Sequence, residues 1–201
     1  MIRLNSPRVA LVVISSVFIL PLVLAWLMFS GVIDYRPQST RNRGSLVLPP
    51  VAVSWDGVYE AGAANDPGHV FDEHWLVLHA VPEPCDPACL EAIAGLRQVH
   101  LAAGRNRHRI RLALLHSGED PVSLQQIYAS FHLLEDPAGG LRRTLESVGS
   151  RFRPAKAARG ATYLIDPHGN VMMFYAAGFD PNDLKTDLQR LLTWSKLDET
   201  R

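Results

Sequence analysis

Cys85-Asp-Pro-Ala-Cys89 holds the only two cysteines of the chain, four positions apart. Two thiols at that spacing can exchange disulfides, hold a soft metal ion, or close into an inert bridge. A disulfide needs Cα atoms about 4.4–6.8 Å apart, and one helical turn supplies roughly that distance. Closing so short a loop gains little stability, because the entropic benefit grows with loop length. That disfavours a purely structural bridge. As a redox pair, Cys85 is the expected attacking thiol, since it lies outside the helix that follows, and Cys89 the resolving one. A helix N-terminus stabilises a thiolate there, and the Asp86 carboxylate opposes it. As metal ligands, two thiolates favour a soft ion such as Cu(I). Zn(II) asks for four ligands, and there is no second cysteine pair. His79, on the strand leading to the thiols, is the first candidate for a third ligand, with His74 and His168 behind it. Each also reads plainly: His79 as a strand residue, His168 as part of a turn, Asp72-Glu73-His74 as a solvated loop. His100, His108, His116 and His132 scatter without ligand spacing.

The elements around the pair form a consistent pattern. Trp75–Val81 is a short apolar run suited to a buried strand, and Pro82-Glu-Pro84 stops it. Asp86 is placed as the N-cap of a helix with Pro87 at its first position. Leu90, Ile93, Leu96 and then His100 or Leu101 recur at helical spacing, and Gly104 ends the run. Arg109–His116 reads as a second strand and Leu141–Val148 as a helix. Ala161–Ile165 and Val171–Tyr175 read as two strands joined by the turn Asp166-Pro-His-Gly-Asn170. Asp180 opens a last helix with the apolar stripe Leu184, Leu188, Leu191 and Leu192. The order from residue 75 is β-α-β-α-β-β-α, with the cysteines at the first strand-to-helix junction. This predicts an α/β, thioredoxin-like domain over 74–196, a mixed central sheet flanked by helices. Residues 30–73, rich in Pro, Gly, Arg and Asn, read as a linker and edge hairpin from Ser45–Leu48 and Val51–Trp55, interrupted by Pro49-Pro50.

Residues 9–29, VALVVISSVFILPLVLAWLMF, carry no charge over 21 positions. A spanning helix needs about 20 apolar residues, so a single transmembrane anchor is expected there, behind a short tail at 1–8. Arg3 and Arg8 on one side face Arg36, Arg41 and Arg43 on the other, nearly balancing the positive-inside rule. The expected orientation puts the C-terminal domain in the periplasm, outside the inner membrane, where a thiol pair meets oxidising conditions. Lys plus Arg equals Asp plus Glu at 20 each, so nothing suggests nucleic acid as a partner.

On these residues the chain resembles the Sco/SenC group, thioredoxin-like membrane-anchored proteins that assist cytochrome c oxidase assembly. The resemblance rests on the N-terminal anchor, the Cys-x-x-x-Cys spacing, the Tyr163-Leu-Ile-Asp-Pro-x-Gly169 hairpin and the closing amphipathic helix, over roughly 75–194. More narrowly, the chain is similar to small proteins encoded among bacterial oxidase assembly genes. These share Pro-x-Pro-Cys-Asp-x-x-Cys, here Pro82 to Cys89, followed by Arg97-Gln98-Val99. The resemblance implies Cys85 and Cys89 as copper ligands, and oxidase subunits or assembly factors as partners. The group's histidine ligand lies shortly before the Tyr-Leu-Ile strand, where this chain reads Pro154-Ala-Lys-Ala-Ala-Arg-Gly160. That departure shifts weight from copper toward thiol exchange and leaves His79 as the relocated third ligand. Thioredoxins also carry a cis-proline just before the third core strand, and Pro154 lies too far from Tyr163 to serve. The competing expectations are a scaffold of the oxidase assembly machinery with a structural Cys85–Cys89 bridge, and a general periplasmic thiol–disulfide enzyme.

Overall fold

A computed structural model describes residues 7–29, 42–61, 68–116, 129–152 and 160–195. They fall into two units, 1–41 and 42–201. In the first, the charge-free run forms helix α1, Pro7–Phe29, with Pro21 inside it. Leu11, Phe18, Leu20, Leu22 and Trp26 are exposed along it. The Ser16 hydroxyl donates back to the Val13 carbonyl at 2.9 Å, so the helix satisfies this polar group internally. Among the residues with described side chains, no helix is long and apolar enough to cross a membrane. The side chains at 7, 10, 12, 28 and 29 fall outside that set, and the spanning expectation rests on the 23-residue backbone helix and its sequence.

The second unit contains strands β1 (Ser45–Ala52), β2 (Tyr59–Glu60), β3 (Trp75–Ala80), β4 (Ile110–His116), β5 (His132–Glu135), β6 (Thr162–Ile165) and β7 (Asn170–Tyr175). Its helices are a short turn, α2 (Gly68–Phe71), then α3 (Pro87–Ala102), α4 (Gly140–Ser150) and α5 (Pro181–Trp194). The sheet order is β1-β7-β6-β3-β4-β5-β2. Strands β3, β4 and β5 run parallel; β6 lies antiparallel on the other side of β3. All six residues of β3 are buried. A strand covered on both faces reads as a continuous apolar run, which is why Trp75–Ala80 shows no alternation. Its odd positions, Trp75 and Val77, pack with Cys89, Ile93 and Leu96 of α3 and Leu184 and Leu188 of α5. Its even positions, Leu76 and Leu78, pack with Leu141, Leu145 and Val148 of α4.

The predicted helix starts and the hairpin turn have physical anchors. The Asp86 carboxylate accepts from the Cys89 N–H at 2.8 Å, and Asp180 accepts from the Asn182 N–H at 2.9 Å. Between β6 and β7, Asp166 Oδ1 accepts from the N–H groups of His168 and Asn170 at 2.9 and 2.8 Å.

Three features differ from the sequence expectation. The segments expected as a hairpin are one edge strand, β1, passing through Pro49-Pro50 with a register shift between Leu46 and Val51. Proline donates no ladder hydrogen bond, and an edge strand with a bulge tolerates that loss. Because β1 and β2 are the two edges of the sheet, residues 42–61 are part of the compact unit and the expected boundary at 74 falls inside it. Strand β5 was not expected; His132-Leu-Leu-Glu135 is too short for periodicity to register. Pro154 and most of the 154–160 stretch lie outside the described residues.

Helix α3 meets α5 at Gly95. A Cβ there would lie 2.6 Å from Pro181 Cγ, so only glycine allows this approach. Gly95→Leu should therefore lower stability by about 1–3 kcal/mol through overpacking. The expected readout is a lower urea midpoint at unchanged m-value.

Candidate functional site

The cysteines meet where β3 ends. The chain leaves the sheet after Ala80, passes the exposed Glu83 and Pro84, and reaches Cys85 immediately before the Asp86 cap. Cys89 follows in the first turn of α3, and the two sulfurs are joined as a disulfide with Cα atoms 5.4 Å apart. The two halves differ in environment. Cys85 is half-buried, whereas Cys89 is 5% exposed and sits in the core with Val77, Val81 and Ile93. Asp86, expected to oppose a thiolate, spends its carboxylate on the helix N-terminus through the Cys89 N–H.

Beside the pair, the backbone just before β6 closes onto β3. Gly160 donates to the Ala80 carbonyl at 2.9 Å and Ala80 donates to Ala161 at 2.9 Å. Gly160 has φ +74, and a Cβ on it would meet Ala177 at 3.4 Å and Pro82 at 3.9 Å. Thus Gly160-Ala161, with no proline, adjoins the segment that carries the disulfide.

His79 is fully within the fold. It lies between Val77 and Val81, and alternation along the strand gives it their face, the one that packs on Cys89. Its side chain is 1% exposed. Nδ1 lies 2.9 Å from the Thr162 hydroxyl oxygen, while Nε2 is buried without a hydrogen-bond partner. If Nδ1 carries the proton and donates it to Thr162, Nε2 presents a lone pair. Burial pushes the imidazole down to about 4, so it is neutral near neutral pH. An unfolded chain would titrate near 6.5. Between these values the unfolded state binds a proton the native state lacks, so stability falls as pH drops from about 6.5 toward 4. The loss reaches about 3 kcal/mol at the lower end. His79→Leu is expected to flatten this window in urea midpoints measured across pH on the metal-free chain.

The other candidates fall elsewhere. His74 precedes β3, and its Nδ1 pairs with the Asp72 carbonyl at 2.7 Å. His168 is exposed in the β6–β7 turn, at the end where Ile165 pairs with Leu76. Six strand residues span about 20 Å, which separates both from the sulfurs. Among the described residues, no group of three or more His, Cys, Asp and Glu is gathered for a metal ion. In the disulfide form, then, Cys85, Cys89 and His79 share a region without making a ligand set. One histidine set aside in the sequence as lacking ligand spacing is buried in the fold. His116, 4% exposed at the end of β4, also has a buried Nε2 without a hydrogen-bond partner. Its position two beyond Leu114, on a strand whose even residues face α3, was the available signal.

The fold places this arrangement among known proteins. The apo Sco1 protein of Thermus thermophilus aligns at 12% identity and TM-score 0.50, over 78% of this chain and 98% of that one. The bacterioferritin comigratory protein of Xanthomonas campestris aligns at 16% identity and TM-score 0.50, over 74% and 96%. At such identities these likenesses concern the fold. No curated protein matches the chain. The model of the transmembrane-like, thioredoxin-like, C-terminal domain matches residues 75–195, running from the first residue of β3 to the end of α5. With well over half of its 201 residues inside that match, the chain belongs to this thioredoxin-like family.

Proposed function

We propose that the chain is a membrane-anchored thioredoxin-like factor that performs thiol–disulfide exchange through Cys85 and Cys89 during cytochrome c oxidase assembly. The observation that carries this reading is the asymmetry of the pair: a partly buried cysteine before the helix and a fully buried one in its first turn. An incoming thiolate can reach Cys85, while Cys89 is shielded, the division of labour that exchange requires. A bridge serving only as a staple has no need of it. In this reading α1 spans the inner membrane, the domain faces the periplasm, and its partners are oxidase subunits or assembly factors with thiols at a copper site. These last elements draw on the Sco/SenC resemblance and the length of α1.

Copper handling is a second reading, favoured by the unpartnered Nε2 of His79 on the face of Cys89. Two thiolates and one imidazole suit Cu(I). The test is to compare oxidase activity and copper content in membranes of cells carrying the wild-type chain or Cys85→Ser/Cys89→Ser. Loss of both in the double variant, at equal chain abundance, is the expected result. Unchanged membranes would remove the assembly role and leave an anchored scaffold.

A further inference from the structure

A pocket of about 190 Å³ opens where β7 ends and β1 begins. Phe152 stacks on Phe174 with ring centroids 5.7 Å apart, and Phe179 tilts against Tyr175 at 5.0 Å, so its walls are aromatic. At its rim the Arg43 guanidinium lies 3.9 Å from the Asp183 carboxylate, which leaves the pocket one cation, one anion and no net charge. Its volume falls below the roughly 300–1,000 Å³ of cofactor sites and suits one large side chain. The pocket adjoins the disulfide segment. Tyr175 pairs with Thr162 and Thr162 with His79, so the end of β7 is level with the end of β3. Ala176 lines the pocket. The next residue, Ala177, and Pro82, three positions before Cys85, are the atoms that a Cβ on Gly160 would meet, at 3.4 and 3.9 Å. From β3 past β6 and β7 is about two to three strand spacings, roughly 10–15 Å, which about three to five residues of extended chain cover.

We propose that this pocket selects the exchange partner: it receives an aromatic side chain lying about three to five residues from the cysteine that Cys85 attacks. The inference rests on the exchange reading and adds the chemistry by which a partner is recognised. Aromatic residues seated in pockets are the usual anchors of protein interfaces. A guanidinium stacks on an aromatic face, and the Arg43 side chain is 64% exposed at the rim and free to cover an incoming ring. An aliphatic side chain would forgo both the ring contacts and the guanidinium. The wall is set before a partner arrives, because the Asp187 carboxylate holds the Arg43 and Gly44 N–H groups. Such preorganisation lowers the entropic cost of docking. The bond chemistry is unchanged: the Cys85 thiolate forms a bond to one sulfur of the partner's disulfide, and the other sulfur leaves as a thiolate. Docking raises the rate of that attack.

The test uses the full chain in detergent with Cys89→Ser, which retains adducts at Cys85. Peptide–glutathione mixed disulfides carry one tyrosine walked along either side of the cysteine in a Gly/Ser sequence, and mass spectrometry times peptide adduct formation. The rate should rise at least about 10-fold at a spacing of about three to five residues, part of what burying an aromatic ring supplies. Ser45 is an exposed strand residue that lines the pocket, so Ser45→Phe should fill it and remove the preference. Arg43→Ala, the second variant should the first not fold, should reduce it. Glutathione disulfide should react equally with every chain, which reports folding and tests the exchange reading separately. If no adduct forms, the same peptides with serine for cysteine are titrated against the oxidised chain by fluorescence anisotropy. Tighter binding of the tyrosine peptide, lost in Ser45→Phe, would then support the pocket while the exchange reading fails. Equal rates and equal binding at every tyrosine position, or a preference kept in both variants, would overturn the proposal. A dimer that Ser45→Phe dissociates, with no peptide preference, would give the pocket to a second copy and overturn it too.

Discussion

Cys85→Ser should abolish disulfide exchange, whereas Cys89→Ser should convert exchange into stable mixed disulfides held at Cys85. The difference follows from exposure. In the reduced chain the Cys85 thiolate attacks a substrate disulfide, forming one S–S bond and releasing the first substrate thiolate. The Cys89 thiolate then attacks the Cys85 sulfur, restoring the internal bond and releasing the second. With serine at 89 the second step has no nucleophile and the adduct persists. With serine at 85 the remaining thiol is the buried one, packed against Val81 and Ile93, and no adduct should form. Non-reducing electrophoresis and mass spectrometry with a peptide disulfide read both outcomes. Equal trapping by the two variants would remove the assigned roles, and no trapping by either would remove the exchange chemistry.

The largest stability loss is expected at Asp187, midway along helix α5. This carboxylate is 1% exposed. It accepts from the Arg43 N–H at 2.9 and 3.1 Å, from the Gly44 N–H at 2.8 Å and from the Tyr175 hydroxyl at 3.0 Å. Burial, then the Asp187 carboxylate, push the Tyr175 hydroxyl far up, which keeps it protonated as a donor. Gly44 is seated so tightly that a Cβ would lie 2.5 Å from the Tyr175 ring. The carboxylate thus pins the start of β1 to the core. Asp187→Ala leaves these donors unpaired in a buried place and is expected to cost about 3–5 kcal/mol, as does breaking other buried charged contacts. Asp187→Asn keeps one acceptor oxygen and should cost less. Denaturant midpoints of both variants check this; a loss below about 1 kcal/mol for Asp187→Ala would mean the segment is held by other contacts.

The sequence foretold the elements around the cysteines because their signals are local. Asp86-Pro87 and Asp180-Pro181 are helix starts that need no tertiary context, and Asp166-Pro-His-Gly-Asn170 is a turn by its own hydrogen bonds. What stayed hidden depends on partners distant in the chain. β1 pairs with β7, more than a hundred residues later, so its prolines read as an interruption of strand structure. Asp187 lies beside Leu188 in an amphipathic helix, where a charge reads as solvated until residues 43 and 44 arrive over it. His116 meets His79 only through the β3–β4 register, which no spacing along the chain encodes.

The reduction potential of Cys85–Cys89 in the full chain, titrated against a thiol–disulfide buffer, tests the redox role most directly. A working exchange pair should equilibrate readily, with a potential above about −300 mV. A potential below that value, with a bond inert to the buffer over hours, would contradict the role and make the bridge a structural one.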